Sequence, residues 1–222
     1  MSITGRITQL RASLPEGVTL LAVSKFHPAE AVLEAYQAGQ RVFGESRAQE
    51  VAAKQQALPS DIEWHFIGPL QSNKVKEIAP FIHTIQSIDS LKLLLEADKQ
   101  AKKNNRVIQL LLEIHIAEEE TKHGLTAEEC KTLLKDDAFA TCRNIYIGGL
   151  MGMATNTDDT KQIRKEFRAL HTLFTELKND YFTKDERFSI LSLGMSHDYR
   201  IAIEEGSTLV RIGTDIFGER EY

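Results

Sequence analysis

The chain has little cysteine: only Cys130 and Cys142 occur in its 222 residues. Their spacing matches neither a disulfide framework nor a zinc pattern, which excludes a small bridged secreted scaffold and fits a reducing, cytoplasmic location. There is no excess of basic residues. With 27 Lys and Arg against 32 Asp and Glu, the net charge of −5 lacks the footprint of a nucleic-acid or anionic-membrane binder. No apolar run approaches the roughly 20 residues that span a bilayer. The start, Met1-Ser2-Ile3-Thr4-Gly5-Arg6, has no signal-peptide core. The seven histidines show no compact metal spacing, so no metal site is expected. No linker-like tract, low-complexity segment or charge block divides the chain, and one domain over residues 1–222 is expected.

What recurs instead is an alternation of short apolar runs with amphipathic segments. The runs predict strands at 18–24, 40–44, 62–67, 82–86, 107–116, 144–150, 188–193 and 208–212. Helix signals lie between them. Pro28 suits a first helical position and Gly39 a stop. Ser72 suits the cap of a helix over 73–79, and Leu91, Leu94 and Leu95 mark an apolar face. Thr126 and Glu129 have capping-box spacing. Ile163, Phe167, Leu170, Phe174 and Leu177 form one stripe of a long helix. Ser2–Leu14 reads as an additional N-terminal helix. Eight strands alternating with helices predict an α/β fold, a parallel TIM-type (β/α)₈ barrel, with a doubly wound open sheet as the alternative.

A barrel gathers functional groups where strands end and βα loops begin. The first strand ends in Ser24-Lys25, where a lysine leaving a buried strand can be desolvated and made nucleophilic enough to form a Schiff base. The seventh and eighth end in Leu193-Gly194-Met195-Ser196 and Arg211-Ile212-Gly213-Thr214. Ser196 is placed at the N-cap of a helix over 197–205, whose free amides favour an anion. Gly213 and Thr214 add further amides and a hydroxyl. Two such segments on adjacent strands favour a phosphate over ordinary capped turns. Arg211 interrupts an apolar strand and points either out as a solvated charge or in as a fixed donor. An inward guanidinium would keep a heteroaromatic nitrogen unprotonated. His65 lies near the ligand face, with packing an equal reading. Met151, Met153 and Met195 can form an apolar wall. Lys74 and Lys122 are read chiefly as surface charges.

Lysine, phosphate cradle and arginine together suggest pyridoxal 5′-phosphate. Ala22-Val23-Ser24-Lys25, Phe43-Gly44-Glu45, the run from Trp64 to Lys74, Leu191–Ser196 and Val210–Thr214 closely resemble the pyridoxal phosphate homeostasis proteins. The resemblance implies a barrel similar to the N-terminal domain of alanine racemase, with the cofactor held as a Schiff base on Lys25. It implies phosphate contacts at Ser196, Gly213 and Thr214, and Arg211 facing the pyridine nitrogen. Ser46 stands where the family usually has asparagine, so a cofactor contact there is expected to be shortened or carried by water.

The implied role is intracellular vitamin B6 homeostasis, as buffer or carrier of the cofactor, with possible delivery to pyridoxal phosphate-dependent apoenzymes and no established turnover. The alternative is a racemase of the alanine racemase type. That chemistry needs a second base, supplied in those enzymes by a further C-terminal domain of the partner subunit. The chain ends soon after the eighth predicted strand, which sets the expectation that this domain is missing. A phosphate-sugar enzyme would explain the cradle and leave Lys25 unexplained. A monomer is expected.

Overall fold

The computed structural model describes residues 1–118 and 123–219. Helix α1 (Ile3–Ser13) precedes the first strand, its start fixed by the Ser2 hydroxyl, which accepts from the Gly5 amide. Then follow β1 (Thr19–Val23), α2 (Ala29–Gln37), β2 (Val42–Glu45), α3 (Ala48–Ala57) and β3 (Glu63–Phe66). A 3₁₀ turn (Ser72–Lys74) runs into α4 (Val75–Ile78), β4 (Thr84–Ile88), α5 (Leu91–Lys103) and β5 (Ile108–Ile114). Helices α6 (Ala127–Leu134) and α7 (Asp137–Ala140) lead to β6 (Ile145–Gly152), and α8 (Thr160–Asp180) to β7 (Ile190–Ser192). The described fold finishes with α9 (Tyr199–Glu204), β8 (Leu209–Ile212) and α10 (Thr214–Phe217).

All neighbouring strands are parallel and β8 returns to β1, so the sheet closes in the order β1 to β8. This is the predicted barrel, and closure excludes the open sheet. Every strand falls on its predicted run. The ends differ most at β4, which continues to Ile88, because Ser87 is a buried polar residue that composition alone assigns to a loop.

Strand alternation divides the side chains into two sets. Leu20, Ala22, Phe43, Trp64, Phe66, Leu110, Leu112 and Val210 face the helices and join one continuous apolar cluster. Onto it α8 lays Ile163, Phe167, Leu170, Phe174 and Leu177, all buried, which is the predicted stripe. Leu21, Leu111, Met151 and Leu209 are buried but lie outside that cluster, in the barrel interior. Gly149 allows β6 and β7 to approach: its φ is +151°, and a Cβ there would stand 1.8 Å from the Ile190 carbonyl oxygen.

Several helix signals shift in the structure. Pro28 occupies the N-cap, not the first turn, because its ψ of 163° is extended. Ser72 opens the 3₁₀ turn and makes no side-chain cap bond. On α5 the buried face is Leu93, Leu94 and Ala97, with Leu91 and Leu95 at its margins. Gly39, at φ +90°, follows α2 as predicted, and the Thr126–Glu129 capping box forms. Lys122 lies outside the described residues, and Lys74 pairs with Glu77 at 2.8 Å.

Candidate functional site

The C-terminal mouth of the barrel opens into a cavity of about 260 Å³. Val23, Lys25 and His27 enter it from the end of β1, Ile67 from β3, Met153 from β6, Met195 and Ser196 from β7, and Arg211, Gly213 and Thr214 from β8. Seven of the residues singled out in the sequence therefore meet in one place: Lys25, Met153, Met195, Ser196, Arg211, Gly213 and Thr214. Met151 is buried in the interior and does not line the cavity.

His65 and Ser46 do not join them either. His65 points into the barrel toward its opposite end, where it borders a second cavity with Glu63 and His83. Its strand position explains this: it is the third residue of β3, two residues short of Ile67, which does reach the mouth. Ser46 is half-buried and abuts Gly68, where a Cβ would stand 2.6 Å from the Ser46 Cβ. It packs the β2 and β3 ends together and does not line the Lys25 cavity.

Arg211 points inward. It is 4% exposed, and its Nη1 donates to the Ser192 carbonyl at 2.8 Å and the Ser192 hydroxyl at 2.6 Å. Nη2 donates to the Gly152 carbonyl at 2.9 Å. Burial lowers its pKa to about 10, opposed by the nearby Asp198 and Glu113 carboxylates, so the guanidinium remains a fixed cation at neutral pH. Ser196 is not a helix cap. The Asp198 carboxylate accepts from the Met195 amide at 2.5 Å and ties residues 195–198 into a turn, so α9 starts at Tyr199. The same turn explains Gly194. At φ +88° it bends the chain under α9, and a Cβ would lie 2.7 Å from both Ala202 Cβ and Tyr199 Cα. Thr214 opens α10 behind Gly213, and both residues line the mouth.

Behind Lys25 lies a buried polar group that sequence reasoning missed. Glu45 is fully buried between β2 and α3 and accepts from the Ser24 hydroxyl at 2.6 Å and Lys54 Nζ at 2.7 Å. Lys54 also donates to the Ser24 carbonyl and to Glu50, both at 2.8 Å. Glu50 in turn accepts from the Phe26 amide at 2.7 Å. Both neighbours of Lys25 are thus anchored, and Phe26 is held at φ +69°, a conformation an L residue rarely adopts. Burial pushes the Glu45 carboxyl up to about 7 against the pull of Lys54. The sequence signals were Glu45 in the Phe43-Gly44-Glu45 run and Lys54, which falls on the face of α3 that carries Val51. Glu113 was missed as well. It is buried at the end of β5, its carboxyl raised to about 7 by burial and by Asp89, with Arg211 opposing.

Fold and site together define a parallel barrel that presents a lysine, an immobilised arginine and a loop-built polar wall to one mouth. A family model described as alanine racemase, N-terminal domain, matches residues 2–221. The pyridoxal phosphate homeostasis protein of Aquifex aeolicus is 43% identical over 91% of this chain and 87% of its own length. That of Haemophilus influenzae is 41% identical over 92% and 86%. Among solved structures, PipY of Synechococcus elongatus without PLP aligns with a TM-score of 0.90 at 37% identity, covering 98% of this chain and 100% of that one. PipY with PLP bound gives 0.88 at 36%, over 98% and 100%. Alanine racemase from E. faecalis aligns at 0.75 with 16% identity over 98% of this chain and 57% of that one, a likeness of fold. The chain belongs to the pyridoxal phosphate homeostasis protein family, which shares its barrel with the alanine racemase N-terminal domain.

Proposed function

We propose that the chain binds pyridoxal 5′-phosphate at the C-terminal mouth and serves in its homeostasis as a buffer or carrier, without catalytic turnover. The observation that carries this is the convergence of Lys25, Arg211, Ser196, Gly213 and Thr214 on one cavity. The donor set fits the group: an amine for an aldehyde, hydroxyls and loop amides for a phosphate, and a cation that stays charged beside a ring nitrogen.

When bound, the cofactor supplies an aldehyde that a lysine amine can capture reversibly. Lys25 is the residue placed to do so. Ser196, Gly213 and Thr214 would hold the phosphate end, each charge-assisted hydrogen bond contributing about 1.5–3 kcal/mol. Arg211 cannot accept a proton and, fixed by two carbonyls and a hydroxyl, cannot turn away. Beside a ring nitrogen it would keep that nitrogen unprotonated, which would weaken the ring as an electron sink and favour holding over turnover. Met153 and Met195 form the apolar side of the slot.

The racemase reading is weaker. The relatives that match over most of their length are named as homeostasis proteins, and the alanine racemases share the fold at low identity. No helix among the described residues is long and apolar enough to cross a membrane. A cytoplasmic monomer that exchanges its cofactor with apoenzymes is the form we propose. The test is a visible spectrum of the purified chain with added pyridoxal phosphate, then borohydride reduction and peptide mass mapping. A yellow protein with the reduced adduct on Lys25 is expected. A chain that stays colourless, or an adduct elsewhere, refutes the assignment. Robust alanine racemisation lost in Lys25→Ala would replace the carrier by an enzyme.

A further inference from the structure

The opposite mouth of the barrel carries a second cavity, of about 440 Å³. In barrels this end ordinarily serves stability. Here Glu63 and His65 of β3 meet His83, which directly precedes β4, with one ligand-capable atom from each lying within 4.8 Å of the others. The two imidazoles are parallel to within 4°, their centroids 5.6 Å apart. His65 is buried, while His83 and Glu63 are open to the cavity and solvent.

From this geometry we propose that the N-terminal mouth is a binding site for a divalent first-row transition ion of the zinc class, with Glu63, His65 and His83 as ligands. The ring nitrogens of His83 support it. His83 Nδ1 lies 2.8 Å from the Thr84 hydroxyl, which itself donates to Gln109 at 2.8 Å. Thr84 therefore accepts from His83 Nδ1–H, leaving the Nε2 lone pair free. His65 Nδ1 lies 2.9 Å from Gln86 Nε2, and the Gln86 oxygen accepts from Ser192 at 2.7 Å, so in this arrangement Nδ1 accepts and Nε2 carries the ring proton. Such hydrogen bonds to the far nitrogen are what orient and strengthen histidine ligands. Ligation by His65 Nε2 requires the proton on Nδ1, and a half-turn of the Gln86 carboxamide meets that need without moving any backbone. Gln86 then donates to Ser192, whose hydroxyl can also accept from Arg211. Two imidazoles and one carboxylate suit zinc, cobalt or nickel better than calcium or magnesium, and the cavity leaves positions for water.

The proposal stands apart from the cofactor assignment, since no residue of the Lys25 cavity is among the ligands. The test is titration of the untagged full-length chain with Zn²⁺ by calorimetry, and with Co²⁺ by visible absorption. One ion per chain is expected, with Co²⁺ giving d–d bands. His83→Ala and Glu63→Gln, both changes at exposed positions, should each weaken binding at least about tenfold. Cys142→Ser should leave it unchanged. Absence of stoichiometric binding in the folded wild type overturns the proposal, as does undiminished binding in the His83→Ala/Glu63→Gln double variant.

Discussion

Lys54→Met tests the anchor behind Lys25. Lys54 is 6% exposed and makes three hydrogen bonds, to Glu45, Glu50 and the Ser24 carbonyl. Methionine fills most of the volume and keeps none of them. Removing one partner of a buried ion pair costs about 3–5 kcal/mol when the other stays charged. Glu45 can instead take up a proton, so the loss depends on pH. Its folded-state pKa, about 7, lies above the ordinary carboxylate value of 4.5. Its contribution to stability is therefore present below that ordinary value and is lost as pH rises toward 7. Without Lys54 the folded pKa rises further, and the decline continues above pH 7 at up to about 1.4 kcal/mol per pH unit.

Between pH 5.5 and 7 the variant should lose only its hydrogen bonds, about 1–2 kcal/mol. By pH 8.5 the deficit should have grown by about another 2 kcal/mol. Urea denaturation at pH 5.5, 7 and 8.5 measures this, and Lys54→Met/Glu45→Gln should abolish the extra slope at high pH. Because Ser24 and Phe26 lose their anchor together, pyridoxal phosphate uptake by Lys25 should also slow. A pH-independent deficit in the single variant would refute the reasoning, since it would mean that Glu45 is not held charged by Lys54.

Ser196→Ala and Thr214→Val should each weaken retention of pyridoxal phosphate by roughly tenfold to a hundredfold, measured by dialysis, while the thermal midpoint stays close to wild type. Glu113→Gln should flatten the pH dependence of stability between about 4.5 and 7, because a buried carboxyl raised to about 7 loses stabilising influence over that interval as pH increases; paired urea melts at pH 5 and pH 7.5 give the slope. Gly149→Ala should prevent folding or cost more than about 3 kcal/mol, since its Cβ would overlap the Ile190 carbonyl at 1.8 Å; circular dichroism after expression decides it.

The barrel was legible because parallel strands buried on both faces read as apolar runs, and Pro, Gly and capping residues mark the turns between them. Lys25, Arg211, Ser196, Gly213 and Thr214 were legible because strand ends map onto one mouth of this fold. His65 was misplaced because the run from Trp64 to Lys74 is continuous in sequence while strand alternation and depth divide it between two ends of the barrel. Ser196 was misread as a cap because a Ser before a helical pattern carries the same signal as the turn that Asp198 actually closes. Glu45 and Lys54 are nine residues apart on different elements, and no local spacing announces a pair formed across a strand–helix interface. Long-range partners of this kind follow from packing, which periodicity does not encode.

The interior of the barrel shows where stability was given up for a site. Cores of this fold are ordinarily filled by branched apolar side chains. Here Thr84, Gln86, Gln109, Glu113, Ser192, His65 and Arg211 are all buried. Burying polar groups is tolerable only when they are partnered, and the partners form a directed series. Arg211 only donates, so Ser192 accepts from it and passes its own proton toward Gln86 at 2.7 Å, and Gln86 faces His65. The series links the two mouths, and its direction between Ser192 and His65 reverses when the Gln86 carboxamide turns over. The apolar cluster that stabilises the fold lies between the strands and helices, outside this series. Separation of the two sets lets the interior be polar without loss of the helix-facing core. It also follows that a substitution such as Gln86→Leu should disturb both mouths while leaving the strand–helix packing intact.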